Sequence, residues 1–427
     1  MSRLKQGRPP RSTRGRRCLY GAAVAAVAIG LAACSSSSSS SGASSSSAAS
    51  GSGSSGVASG SPINVMVIAP FTLAVQPSKA NYDAVRIQAA LQNAKGGING
   101  HKINVIGCDD QTDPNVGAQC AKEAVQDHVV ALLGVFTLVS ADIWPTINAA
   151  GIPEIGLVQY GAGDMISPNA WPLTAPAPVF NGSAMGYLAT VKGCKRIADV
   201  QANTGADTAV PLALDKEATA NTGAAYVGPF LTPVTQGFAD APAIARSIIS
   251  KADCANVSAG QNGITLIKAI LQQDPTFKLA ANELAVPGDW PTQLGSQASA
   301  VNTIGGLAPD TSKAPGVVSY LTNMKAQAPG DPLSDFSKLA WASWYAFDQV
   351  ASGINGPITA QSVTAALGKA TAVNTDGITA PVDFTKPTPI GAITRIFTTQ
   401  IFVLGANSGS VVQSGGLINA GTYFKTK

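Results

Sequence analysis

Charge is scarce in this 427-residue chain: 12% of its residues are Asp, Glu, Lys or Arg, with two histidines and six cysteines. Two histidines leave little for imidazole chemistry or a His-rich metal site. There is no G-x-S-x-G elbow, H-E-x-x-H, C-x-x-C or P-loop pattern. The sequence therefore points to no enzyme class, metal or cofactor. It also offers no footprint for nucleic acid. The formal charge is +4, but Arg3, Lys5, Arg8, Arg11, Arg14, Arg16 and Arg17 all precede residue 34 and no acid does. The remainder sets 21 bases against 24 acids, a mildly acidic body. Long hydrophobic runs are lacking too. "LYGAAVAAVAIGLAA" (19–33) has fifteen residues, short of the roughly 20 that span a bilayer.

What is present is small and apolar. A 45% hydrophobic content and 44 glycines suit a tightly packed α/β protein with many short turns. The N-terminus has three zones. A basic stretch to Arg17 and the apolar run 19–33 form an export signal. Leu31-Ala32-Ala33-Cys34 resembles a bacterial lipobox, in which Cys34 would be lipidated and become the new N-terminus; the alternative is a plain anchor helix with an incidental cysteine. "GRRCLY" is too poor a twin-arginine match to choose between Sec and Tat export. Residues 35–62 hold 17 serines in 28 positions, a composition that cannot offset the entropy of ordering. They read as a flexible tether with a root-mean-square span on the order of 30 Å. "GSGSSG" (51–56) fits G-x-G-x-x-G, but without a strand before it or a helix after it the match carries no weight.

Four cysteines then remain: Cys108, Cys120, Cys194 and Cys254. The first two are close in sequence, and the others each precede a predicted strand. Adjacent strands lie about 5 Å apart, within disulfide reach. The expected pairs are 108–120 and 194–254; four independent buried thiols are the alternative.

From residue 63 strands and helices alternate. Strands are expected at 63–69, 102–107, 129–134 and 153–158, with helices at 81–94, from Asp113-Pro114 to about 127, and through "ADIWPTINAA". A second run places strands at 196–202, within 224–231, at 255–260 and at 277–282, and helices at 240–252 and 263–273. Helices at about 315–327, 335–353 and 360–369 precede a β-rich tail at 393–405. The alternation implies parallel sheets with right-handed crossovers.

The segment "NAKGGINGHKINVIGCDDQTDPNVGAQCAKEAVQDHVVALLG" (93–134), continued by "AAGIPEIG" (149–156), resembles the N-terminal lobe of the branched-chain amino acid-binding proteins. These are type I periplasmic binding proteins that deliver ligand to ABC importers. The likeness runs from about 63 to 420 in order of elements and is specific mainly over 93–156. It implies two Rossmann-like lobes joined by a three-segment hinge: 63–178 plus 312–376, and 179–311 plus 377–427. It also implies closure of the lobes around a small-molecule ligand and an ABC permease as partner.

In open α/β sheets ligands bind beyond the carboxyl ends of strands. That selects Phe71 and Thr72 after the first strand, and Thr137 and Ser140 after the third. Hydroxyls at a helix N-terminus suit a carboxylate; the alternative for Ser140 is a cap on its own helix. Gln159 and Tyr160 fall where the family contacts the amino acid head group, but "VQY" departs from the small and hydroxyl residues common there. The second lobe offers Asp207, Asn262, Glu283 and Asp289. Either acid, Glu283 or Asp289, would pair with a ligand ammonium or would be an ordinary solvated acid or cap. Trp290 suits an apolar ligand body or the core, whereas Trp341, Trp344, Tyr345 and Phe347 read as core and lobe-interface residues.

The expectation is a lipid-anchored, extracytoplasmic solute-binding protein for an amino acid or a related small carboxylate or amide. An enzyme is disfavoured further because His101 and His128 precede strands, at the wrong edge of the sheet. A sensor domain of the same fold, signalling to a membrane partner, is the alternative.

Overall fold

The computed structural model describes residues 60–425 apart from 74–77, 234–237 and 261; Cys34 and the tether before residue 60 lie outside the described residues. The first sheet contains β1 (Gly60–Ala69), β2 (His101–Asp109), β3 (Ala131–Leu133), β4 (Glu154–Ile155) and β5 (Ala170–Trp171). The strands are parallel, in the order β2-β1-β3-β4-β5. Alternation along β1 feeds two cores. Val65 and Val67 join the helices Lys79–Asn93 and Asp335–Ser352, while Met66 and Ile68 join Pro114–Gln126 and Ser140–Ala150. Each such side chain, taken fully out of water, contributes roughly 1.5–3 kcal/mol.

The second sheet contains β6 (Arg196–Asn203), β7 (Ala225–Pro233), β8 (Cys254–Ser258), β9 (Lys278–Asn282), β10 (Val301–Gly305), β11 (Gln400–Asn407), β12 (Ser410–Gln413) and, paired with β11, β13 (Ile418–Asn419). Its order is β12-β11-β10-β9-β8-β6-β7. Helices Ala177–Thr190 and Ala209–Thr222 cover one face, and Ala241–Lys251 and Gly263–Gln273 the other. The strands β6 to β10 are parallel as expected, and the β-rich tail adds antiparallel strands at the edge. β11 runs antiparallel to β10, and β12 and β13 antiparallel to β11. The chain re-enters this sheet from the first lobe in the reverse direction and then folds back through Ser408-Gly409. Both turn residues have positive φ, 49° and 79°, as a two-residue hairpin requires.

The chain passes between the lobes three times: from β5 to the helix Ala177–Thr190, from β10 to Pro315–Gln327, and from Ala360–Leu367 to β11. β3 and β4 are shorter than their apolar runs suggest because Gly134 (φ 57°) and Gly156 (φ 66°) end them. A side chain at either position would strike Ala340 or Ser343, so glycine lets the helix Asp335–Ser352 lie directly on the strand ends. Both disulfides form as expected, Cys108–Cys120 with Cα atoms 5.8 Å apart and Cys194–Cys254 with 6.1 Å. Trp341, Trp344 and Phe347 are buried and Tyr345 packs against the same core. Trp290 is a core residue of the second lobe.

Candidate functional site

The predicted site residues of the first lobe sit in the loops after β1, β3 and β4, each held by a carboxylate behind it. Asp109 accepts from the Phe71 amide (2.8 Å) and the Thr72 hydroxyl (2.7 Å), and the Phe71 ring lies 5.9 Å from Tyr82. Thr137 is buried and donates its hydroxyl to Asp110, which also accepts the Thr112 amide at 3.0 Å. Burial pushes the Asp110 carboxyl above its usual range, and the Thr137 and Thr112 bonds offset part of that.

Ser140, Gln159 and Tyr160 converge on Asp164, an acid the sequence pattern does not single out. Asp164 accepts from Trp144 Nε1 (2.6 Å), Gly161 N (2.8 Å), Tyr160 N (3.1 Å) and the Ser140 hydroxyl. Burial nevertheless raises its pKa. The Gln159 amide donates to the Asp164 carbonyl (2.8 Å) and to the Arg395 carbonyl (3.3 Å), so this loop touches the third crossing segment. Its Oε1 is buried without a partner. Arg395 donates through Nε and Nη2 to Ala170 O and stacks 4.5 Å from the Trp171 ring centroid and 4.6 Å from that of Phe397. Burial lowers its pKa to about 10.

In the second lobe, Asp207 lies in the 3-10 turn Gly205–Thr208, and its side chain is outside the described residues. Asn262 stands at the N-cap of Gly263–Gln273, its carbonyl accepting Thr265 N at 3.0 Å. Glu283 follows β9 and is only 4% exposed. Its Oε1 accepts the amides of Gly306 (2.7 Å) and Leu307 (3.2 Å), the first residues of the second crossing segment, while Oε2 is buried without a partner. Burial pushes its pKa up to about 8, Asp335 adding to the rise and Lys338 and the two amides opposing it. Asp289 is exposed and accepts from Gln293 at 2.8 Å.

Glu283 and Asp289 line one cleft of about 390 Å³, within the range of small-molecule sites. Facing them are Asp310 of the crossing segment, Asp335 and Lys338 of the helix Asp335–Ser352, and Lys325. Lys338 is buried and pairs with Asp310 (2.7 Å) and Asp335 (2.9 Å) and donates to Ala308 O (3.2 Å). Burial opposes its charge, but the two carboxylates outweigh this and hold its pKa above the usual lysine value. The structure thus places the first-lobe residues in three loop clusters and brings Glu283 and Asp289 together in one cleft lined from both lobes, while Asp207 and Asn262 lie outside that cleft. Lys338 on the helix Asp335–Ser352 and Arg395 on the third crossing segment were not expected; the only sequence signal was the i, i+3 spacing of Asp335 and Lys338.

His101 opens β2 and His128 precedes β3, and both line a separate 690 Å³ pocket with Ser61, Asn64 and Thr359, at the amino edge of the sheet. Among the described residues the cluster with metal-ligand spacing is Cys194, Asp253 and Cys254, whose sulfurs are already joined to each other. No helix among the described residues is long and apolar enough to cross a membrane.

The architecture is similar to several solved structures. A fatty acid ABC transporter substrate-binding protein from Thermomonospora curvata shares 16% identity at a TM-score of 0.69, over 86% of this chain and 95% of its own. A solute-binding protein from R. palustris in complex with benzoate shares 16% at 0.66, over 86% and 97%. A branched-chain amino acid transporter substrate-binding protein from Streptococcus pneumoniae, in complex with isoleucine, shares 16% at 0.64, over 83% and 100%. No curated protein sequence matches significantly. Residues 62–403 match the periplasmic binding protein family, most of the chain and both lobes. With that match over two α/β lobes joined by three crossings, the chain belongs to the periplasmic binding protein family, in its type I form.

Proposed function

We propose that this protein is an extracytoplasmic, lipid-anchored substrate-binding protein of an ABC importer, closing its lobes on an amino acid or a related small carboxylate or amide. The observation that carries this reading is the meeting of loops from the strand carboxyl ends with the crossing segments: Gln159 after β4 on Arg395, and Glu283 after β9 on Gly306 and Leu307. Loops so placed change neighbours when the lobes turn, which couples ligand capture to a shape that a permease can read.

Phe71, Thr72, Thr137, Ser140, Gln159 and Tyr160 would form the first-lobe wall, and Asp207, Asn262, Glu283 and Asp289 the second. Cys34 is the lipid attachment point, and residues 35–59 are the tether that keeps the lobes near the membrane yet free to turn, residues 60–62 of the expected 35–62 tether having joined β1. The domain division proposed is 63–178 plus 312–376 against 179–311 plus 377–427.

A thermal-shift screen against amino acids, amides and aromatic acids tests the ligand class. A ligand at 100 times its Kd adds about 2.7 kcal/mol of stability. A shift with an aromatic acid and none with any amino acid would overturn the ligand assignment and leave the fold untouched.

A further inference from the structure

The second crossing segment is gripped from both lobes at adjacent residues. From the C-terminal lobe, Glu283 Oε1 accepts the amides of Gly306 and Leu307. From the N-terminal lobe, Lys338 takes the Ala308 carbonyl and the Asp310 carboxylate. Room for the first grip is built in, because any side chain at Gly305 would overlap the Glu283 carboxyl and one at Gly306 would strike Thr174.

The two grips differ in chemistry. Lys338 has its charge matched by Asp310 and Asp335. Among the described residues Glu283 makes no ion pair, and its second oxygen is buried without a partner. The charged groups lining the same cleft are Asp335 and Lys338 on the long helix, Asp310 on the crossing, Asp289 on the loop before Trp290–Leu294 and Lys325 on Pro315–Gln327. Burial, the largest effect, favours the neutral acid; of these charges Asp335 adds to it and Lys338 opposes it. A neutral acid still accepts two amide bonds through its carbonyl oxygen.

We propose that Glu283 is a proton-linked latch on the second crossing segment: packed against Gly306 and Leu307 its buried carboxyl keeps its proton, and when this contact opens to solvent the carboxyl ionises in water, which favours the open form and frees the lobes to turn. The direction follows from linkage. Opening exposes Glu283 to water, where its carboxyl ionises near 4.3, so each released proton favours the open form. Glu283 acts here through the two amides, as a positioning residue. It matters for the proposed function because it would make lobe opening sensitive to the pH outside the cell.

Hydrogen–deuterium exchange of the full-length protein tests this without any ligand, so a failed ligand screen leaves it standing. The amides of Gly306 and Leu307 are followed from pH 5.5 to 7.5 after correction for intrinsic exchange, in wild type, Glu283→Gln and Glu283→Ala. In wild type their protection should fall by up to about tenfold per pH unit. In E283Q, which keeps the acceptor and loses the proton, protection should stay high and flat; in E283A it should be low and flat. A flat wild-type profile, or the wild-type slope persisting in E283Q, would overturn the latch. The same slope at Val65–Ile68 of β1 would also overturn it, because the opening would then be that of the whole molecule.

Discussion

The ammonium of Lys338 lies 2.7 Å from the carboxylate of Asp310 and so ties the helix Asp335–Ser352 to a segment that passes between the lobes. Lys338 is buried, yet neither carboxylate partner is: the Asp310 side chain is 50% exposed and that of Asp335 28%. Replacing Lys338 with Met should cost about 3 kcal/mol, the low end for breaking a buried pair, because water can reach both acids left behind. A denaturant midpoint equal to that of wild type would show that the pair contributes nothing.

The buried Thr137 hydroxyl donates to Asp110 and accepts Val139 N at 3.1 Å, which fixes its orientation at the strand-end loop. Thr137→Val should lower the stability of the unliganded protein by about 1–3 kcal/mol, the desolvation cost of a buried acceptor left short of a donor. Thr137→Ser should recover most of it. If T137V melts like wild type, Thr137 is free to serve a ligand instead.

The two disulfides close loops of different length, with sequence separations of 12 and 60. On the chain-entropy model they are worth about 3 and about 4 kcal/mol. Removing Cys194–Cys254 by serine substitution at both positions should therefore cost more than removing Cys108–Cys120. Chemical unfolding of the two double mutants decides the order.

Asp199 and Asp215 are both fully buried in the second lobe and share the Gln201 amide, at 2.9 and 2.7 Å. Burial raises both pKa values, that of Asp215 well above the usual carboxylate range, with the Asp199 charge adding to it. Protons held in the folded state are released on unfolding. This contribution is thus fullest below the ordinary carboxylate range, near pH 4, and is lost as pH rises toward the folded values. Asp215→Asn, neutral at every pH, should be more stable than wild type at neutral pH, and its stability should depend less on pH between 5 and 8. Parallel pH profiles for the two proteins would show that the pair does not titrate in that window.

Much of the fold was legible because local chemistry agreed with it. Asp113-Pro114 marks a helix start, and the Asp113 carboxylate does accept Asn115 N and Val116 N. The helix Ala177–Thr190 went unseen for an equally physical reason. Its residues 177–188 are all buried, so no polar face alternates with an apolar one to reveal a period. β10 was missed because buried Asn302 and Thr303 interrupt its apolar pattern, and β12, four residues long, carries too few residues to show alternation. At the site, strand-end loops could be selected by rule, but the acids behind them could not. Asp164 looks like any acid in a loop until folding brings Trp144, Ser140 and Tyr160 onto it.

Sequence alone was enough for what depends on neighbours along the chain: most of the element order, the Asp113-Pro114 helix start, the serine-rich composition before residue 62 and cysteines placed at strand starts. Interactions between distant residues were decided only in the folded molecule. Glu283 meets Gly306, and Gln159 meets Arg395 across 236 positions, because two sheets and three crossings bring them together. The pKa of Glu283 belongs to the same class, since burial, the main cause of its rise to about 8, is a property of everything packed around it.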